Sequence, residues 1–280
     1  MSQTWYSDDA PPPGQPLTLG GVLRALGRGL PLAVVTFGCL ALLLLMRLIE
    51  RPIFGRARPL TPYITQAVCR SAFFILGMGY KVEGHPSSGV GALVANHVSW
   101  LDIFALNAPQ RIYFVSKAEV AGWLGIGWLA RATGTLFIAR RRADALAQTA
   151  LLTDRLNAGH RLLFFPEGTS TDGLRVLPFR STLFAAFFEI APDLQATVQP
   201  VSLIYTAPPG EDLRFYGWWG DMPFEGHLLK VLMAPRQGSV RVVFHPPIAM
   251  AELQDRKAAA RLLHAQVAAP VAAYAEAPAA

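Results

Sequence analysis

Charge is what this chain of 280 residues has least of. Only 16% of its residues are charged, against ~25% in ordinary soluble domains, while 52% are hydrophobic and mean hydropathy is +0.32. That balance leans away from a well-solvated globule and towards association with a membrane. Cysteine is nearly missing. Cys39 and Cys69 stand in apolar stretches without metal or redox spacing, so they read as small buried hydrophobes. No Asn-x-Ser/Thr acceptor occurs, and there is no Gly-x-Ser-x-Gly elbow, Walker sequence or zinc spacing. Gly122, Gly125 and Gly127 come in the wrong order for a dinucleotide loop. The net charge of +6 comes mostly from arginines beside apolar segments, with no Lys-rich arm or RNA-binding aromatic signature. Such a surplus fits an anionic lipid surface better than nucleic acid.

The length allows one substantial core plus appendages. Residues 1–18 are polar and Pro-rich and read as a disordered tail. Leu30 to Met46 is an apolar run that as a helix measures roughly 25 Å, slightly short of a ~30 Å hydrocarbon core. Either it spans or inserts deeply into a bilayer, or it is a buried soluble helix. Arginines flank it on both sides, more heavily on the C-terminal one. That asymmetry would put the chain beyond Met46 in the cytoplasm, on the inner face of a bacterial-type inner membrane. Residues 63–80 carry a broad apolar stripe and read as an interfacial or packed amphipathic helix, so 19–80 form membrane-associated helices. "YKVEGH" and "GVGALVANH" look like two strands either side of a turn, and strand-like and helical runs then alternate to about residue 250. The pattern predicts an α/β domain over 81–250 around a largely buried sheet, with an Ala-rich helix and tail over 251–280.

The chemistry-bearing residues sit where such strands end. In "VANHVSWLDI", His97 and Asp102 cannot meet on one helix, because five residues put them about 140° apart. They meet if His97 precedes a helix start whose first turn holds Asp102, and Ser99 with Asp102 is a capping-box pattern. Asp102 then either caps the helix, orients an imidazole for proton transfer, or does both. In "FFPEGTSTDG", Glu167 and Thr169 are placed to hold an acceptor's hydroxyls, and Gly168 would let backbone approach a ligand; an ordinary strand-exit loop is the plain alternative. Arg140 in "GTLFIARRR" points to anion contact or to a solvated helix start, and Lys117 in "FVSKAEV" is open in the same way. The segment "VSKAEVAGWLGIGWLARATG" suits an apolar groove or interfacial surface.

Together these blocks resemble the lysophospholipid acyltransferase family, whose best-known members acylate 1-acylglycerol-3-phosphate. "NHVSWLD" matches its His-x4-Asp motif, "GTLFIAR" its second block, "FPEGTS" its third and "VQPVSL", centred on Pro200, its fourth, in the family's order. The resemblance implies a glycerolipid acyltransferase-type fold, a mixed sheet flanked by helices. It implies transfer of an acyl group from a coenzyme A or acyl carrier protein thioester to a lysolipid hydroxyl at the bilayer, without metal or redox cofactor. His97 would be the general base, Asp102 its orienting partner, and Arg140, Glu167, Gly168, Thr169 and Lys117 would bind substrate.

One departure bears on the acceptor. Family members that take a phosphate-bearing acceptor often have Arg directly after Glu-Gly-Thr, and this chain has Ser170, with Arg175 or Arg180 as possible substitutes farther along. The late "FYGWWGDMPFEGHLLKVL" also looks similar to relatives that acylate lyso-ornithine lipid. The sequence expectation is a phosphatidate-forming enzyme first and a lyso-ornithine lipid acyltransferase second. A non-catalytic lipid-binding protein, and a metal-dependent hydrolase using His97, Asp102, Glu167 and His160, are the readings from other classes.

Overall fold

Gly91–Ala95, the segment GALVA, is buried at every position, which a strand achieves only when both faces of its sheet are covered. The computed structural model describes residues 4–55, 57–123, 125–138, 145–185, 188 and 195–277, and its centre is an eight-stranded mixed sheet. The strands are β1 (Gly79–Glu83), β2 (Gly91–Ala95), β3 (Tyr113–Lys117), β4 (Leu136–Ile138), β5 (Arg161–Phe164), β6 (Thr197–Thr206), β7 (Ser239–Phe244) and β8 (Ile248–Ala249). Their spatial order is β1-β7-β6-β2-β5-β3-β4, with β8 also on β6. Only β7 and β8 run antiparallel to their neighbour β6. The helices are α1 (Leu19–Phe54), α2 (Thr61–Leu76), α3 (Leu101–Asn107), α4 (Ile126–Thr133), α5 (Ala145–Asn157), α6 (Phe224–Met233) and α7 (Arg256–Ala275).

Alternation along β2 divides the core. Leu93 and Ala95 face a cluster with Phe73 and Leu76 of α2 and Leu101 and Leu106 of α3. Ala92 and Val94 face the other, with Leu152 and Leu156 of α5 and Leu263 and Val267 of α7. The expected pair of neighbouring strands at "YKVEGH" and "GVGALVANH" exists, but β7 and β6 separate its members. β1 carries Lys81 and Glu83 and is half exposed, so it suits a sheet edge, whereas the wholly apolar β2 needs the middle.

Two residues shape the centre. Pro200 lacks an N–H and still sits inside β6. It falls where the partner changes from β7 to β8, and the His245 N–H donates to its carbonyl at 3.0 Å. Asn96, just past β2, is fully buried; its amide donates to the Leu203 carbonyl (2.9 Å) and accepts from the Leu203 N–H (2.7 Å). A side chain thus completes the ladder, and the main chain is free to leave the sheet at His97.

The first helix runs well beyond the apolar run. It has 36 residues, about 54 Å at 1.5 Å per residue. Its buried residues, Gly21, Leu32, Leu43 and Glu50, recur at near-integral helical turns and form one narrow stripe. Both ends are fastened to the same domain. Arg24 donates to the Met233 carbonyl (2.8 Å), and Arg28 to those of Leu232 (2.9 Å) and Ala234 (2.7 Å), at the open end of α6. Gly21 allows the approach, since a Cβ there would meet the Met233 methyl at 2.8 Å. At the far end the Glu50 carboxylate accepts from the N–H groups of Leu60 and Thr61 and from the Thr61 hydroxyl, and so starts α2.

Residues 4–18, expected as a disordered tail, lie extended on the domain. Tyr6 donates to Asp221, Arg214 to the Ala10 carbonyl, and Gln15 to Glu211. Aromatic and amide groups set among the prolines find partners that composition does not reveal.

Asn96→Ala would leave both Leu203 backbone groups unpaired in the core, at about 1–3 kcal/mol each. Chemical denaturation in detergent should show a loss of about 2–6 kcal/mol; a loss under about 0.5 kcal/mol would mean that the ladder closes without this side chain.

Candidate active site

Parallel strands put all their C-terminal ends on one edge of a sheet, and here the motifs follow those ends. β2 leads to His97, β5 to the loop of Glu167, β3 ends on Lys117, and β4 ends two residues before position 140. β2 continues through α3 to β3, beyond β5, whereas β5 continues to β6 on the opposite side of β2. The chain therefore diverges above the neighbouring β2 and β5, and such a switch point opens a crevice.

His97 and the Glu167 loop meet in that crevice. The His97 Nδ1 lies 2.7 Å from Asp102 Oδ2. The same oxygen accepts the N–H groups of Val98 (2.7 Å) and Ser99 (3.1 Å), and Oδ1 accepts the Tyr205 hydroxyl (2.7 Å). Capping and orienting are thus both performed by Asp102, which is completely buried. Burial first, and then the neighbouring Asp102 charge, push the Tyr205 hydroxyl well above its ordinary range, so it stays protonated as a donor. With a carboxylate on Nδ1, the imidazole carries its proton there and leaves the Nε2 lone pair outward. The ring stacks on Phe165 at 4.1 Å and 11°. Its side chain is 24% exposed, and among the described residues nothing hydrogen-bonds Nε2.

The main chain of His97 is held on both sides. Its N–H donates to Glu167 Oε1 at 2.7 Å, and its carbonyl accepts from the Thr171 N–H at 2.9 Å. Glu167 Oε2 accepts the Leu177 N–H at 2.7 Å. Both oxygens of this buried side chain are thus spent on backbone, so it positions His97 where the sequence expectation had it holding the acceptor. Gly168 takes φ +73° and donates to the Phe165 carbonyl (3.0 Å), closing a tight turn. The Thr169 hydroxyl oxygen accepts the Trp5 N–H at 3.3 Å. Lys117 is half-buried two strands from β2, about 10 Å sideways. Arg140 lies outside the described residues. His160 follows α5 beside Gly159, as expected of a helix-terminal turn, and its ring lies tilted against Tyr113 (4.2 Å) at the opposite edge of the sheet. The quartet of the hydrolase reading is therefore not assembled.

Several participants escaped the sequence. Tyr205 reaches Asp102 only through the register of β6 beside β2, and no local signal marks it. Asn96 carried one: a polar residue at the end of an all-apolar strand. The "FYGWWGDMPF" segment lies against the loops of His97 and Glu167, with the Trp218 N–H donating to the Val98 carbonyl at 2.9 Å and the Ser170 hydroxyl donating to the Trp218 carbonyl. Trp218 packs edge-on against Trp123 and Phe224, forming an aromatic wall. Trp5 lies against Trp219 (6.0 Å), with the Arg175 guanidinium 5.3 Å from its ring centre.

A family model described as Acyltransferase matches residues 80–204. A lyso-ornithine lipid O-acyltransferase from Rhodobacter capsulatus is 57% identical over 267 residues, covering 95% of this chain and 97% of that protein. This chain belongs to the acyltransferase family. Among further relatives of the acyltransferase, a 1-acyl-sn-glycerol-3-phosphate acyltransferase from Neisseria gonorrhoeae is 38% identical over 138 residues, 49% of this chain and 51% of that one. The crystal structure of a 1-acyl-sn-glycerophosphate acyltransferase from Thermotoga maritima superimposes with a TM-score of 0.62 at 20% identity, covering 93% of this chain and 98% of that one. At that identity the likeness bears on the fold, which is the expected mixed sheet flanked by helices.

Tyr205→Phe removes one donor from Asp102 without creating a large void. Acyl transfer should slow about tenfold with KM unchanged; an unchanged kcat would show that the hydroxyl has no bearing on the pair. Burial raises the Glu167 carboxyl from 4.5 to about 8, against the pull of its two amide donors. From pH 4.5 to about 8 the folded chain then keeps a proton that the unfolded chain has released, so this group makes stability fall as pH rises through that window. Melting temperatures of the wild type and Glu167→Gln should change their difference across it. A difference independent of pH would contradict the shift.

Proposed function

We propose that this acyltransferase moves a fatty acyl group from a coenzyme A or acyl carrier protein thioester to the free hydroxyl of a lyso-ornithine lipid. The hydrogen-bonded His97–Asp102 pair with its open Nε2 supports the reaction. His97 Nε2 removes the hydroxyl proton as the oxygen attacks the thioester carbonyl carbon. The imidazolium, steadied by Asp102, returns that proton to the departing sulfur as the carbon–sulfur bond breaks. The proton balance closes, and the protein forms no acyl intermediate of its own.

The acceptor is carried by one observation, the near-complete alignment with the Rhodobacter capsulatus enzyme. It favours the reading that the sequence put second over the phosphatidate-forming one put first. The site agrees on physical grounds. A lyso-ornithine headgroup has no phosphate to clamp, and the residue after Glu-Gly-Thr is Ser170, whose hydroxyl is spent on Trp218. Arg175 is paired with the buried Asp172 at 3.1 Å. Thr169 and Lys117, at the C-terminal edge of the sheet, are retained as acceptor-binding candidates, and so, from its sequence block alone, is Arg140.

The exposed side of α1 supports membrane attachment, with Leu30, Val34, Leu45 and Leu48 each at least 60% exposed. Because both ends of α1 are fastened to one domain, its geometry favours a helix inserted along the surface over one that crosses. The arginines after Met46 favour the cytoplasmic face of an inner membrane.

Purified enzyme should acylate lyso-ornithine lipid from a labelled thioester at least about tenfold faster than 1-acylglycerol-3-phosphate, and His97→Ala should lower the rate about 10²–10⁴-fold while leaving the protein folded. Preference for the phosphate acceptor would overturn the acceptor assignment. Near-normal activity of the His97→Ala variant would overturn the mechanism.

A further inference from the structure

Near its C-terminal end the surface of α1 changes chemistry along a single face. Leu44, Arg47, Leu48 and Arg51 share that face by their spacing of three and four residues. The leucines are exposed, Leu44 by 50% and Leu48 by 72%. Where the face turns basic it borders a cavity of 640 Å³, lined by Leu44 and by five arginines: Arg47, Arg51, Arg58, Arg131 of α4 and Arg155 of α5. No acidic side chain lines it among the described residues. Arg47 is paired with Glu50 (2.9 Å), whose carboxylate is buried and bound to the start of α2. Arg58 donates to the Ala132 carbonyl, Arg131 to that of Ala121 and Arg155 to that of Gly134. Neutral carbonyls hold Arg58 and Arg131 in place without cancelling their charge. The same field reaches His160 next door, held down to about 4 by burial and then by Arg155, Arg58 and Arg47.

This cavity is remote from His97. It adjoins the residues that enter β3 and β5, at the edge of the sheet opposite the catalytic loops. Converging guanidinium groups are suited to a phosphate, which they bind with paired hydrogen bonds. The leucines add a second requirement. Leu44 to Arg51 spans about 10 Å along the helix, so a ligand that uses both is apolar at one end and anionic at the other.

We propose that this cavity is a second lipid site, holding the phosphate headgroup of an anionic phospholipid whose chains lie along Leu44 and Leu48. Such a lipid would pin the C-terminal end of α1 to the bilayer and set the height of the domain above it. The proposal is independent of which lysolipid is acylated.

The test uses the full-length enzyme and flotation with vesicles of phosphatidylcholine, with and without phosphatidylglycerol. The wild type should prefer the anionic vesicles, and Arg51→Glu with Arg131→Glu should reduce that preference about tenfold or more while binding to neutral vesicles holds. Arg256→Glu with Arg261→Glu, the same charge change on α7, should leave the preference unchanged. An equal loss from this control would reduce the effect to overall charge and overturn the site, as would an unchanged preference in the first variant. Should the double variant fold poorly, Arg51→Gln alone, at an exposed position, should give a smaller loss of the same sign, and no loss would overturn the proposal. Short-chain phosphatidylglycerol should raise the melting temperature more than inorganic phosphate does. Equal protection would indicate a free-phosphate site and overturn the lipid assignment. Weakened binding of acyl carrier protein without vesicles would overturn it too, in favour of a protein surface.

Discussion

Taking a carboxylate out of water costs several kcal/mol unless donors replace the water it loses. Asp102 is completely buried, and its replacement is an imidazole N–H, two backbone amides and a phenol. Each donor comes from a different structural decision. The amides require that α3 begin where it does, and the phenol requires that β6 lie beside β2 in one register. The imidazole requires that the chain leave the sheet after Asn96. A carboxylate satisfied in this way cannot turn aside, so the ring it holds cannot either. The open Nε2 is a consequence of all four contacts.

The loops above β2 and β5 are linked through main chain. Glu167 accepts from His97 and Leu177, Thr171 donates to His97, and Trp218 donates to Val98. Backbone groups carry no specificity of their own. Discrimination then falls to the side chains around it. Ser170 is satisfied by Trp218 and Arg175 by Asp172, and the rings of Trp123, Trp218 and Phe224 form an aromatic wall beside them. Such a crevice suits an acceptor that has no phosphate.

The relation to the membrane depends on how α1 is tied down. This helix is held at both ends, by arginines bound to the end of α6 and by a buried glutamate at the start of α2. Its narrow buried stripe leaves most of the apolar surface facing outward, along the domain and not away from it. Exposed apolar surface therefore extends the length of the domain, and arginines gather where the apolar face ends.

What the sequence by itself determined is whatever depends on neighbours along the chain: the all-apolar β2, the capping pattern at Ser99 and Asp102, and the ordered blocks that mark the family. Each rests on local sterics or on hydrogen bonds a few residues long. Only the tertiary structure decided that Glu167 grips His97 from behind, that Tyr205 completes the carboxylate's shell, that residues 4–18 are held on the domain, and that β1 and β2 lie apart. Those outcomes depend on which strand burial forces into the middle of the sheet and on contacts between residues scores to hundreds of positions apart, which no local pattern of residues encodes.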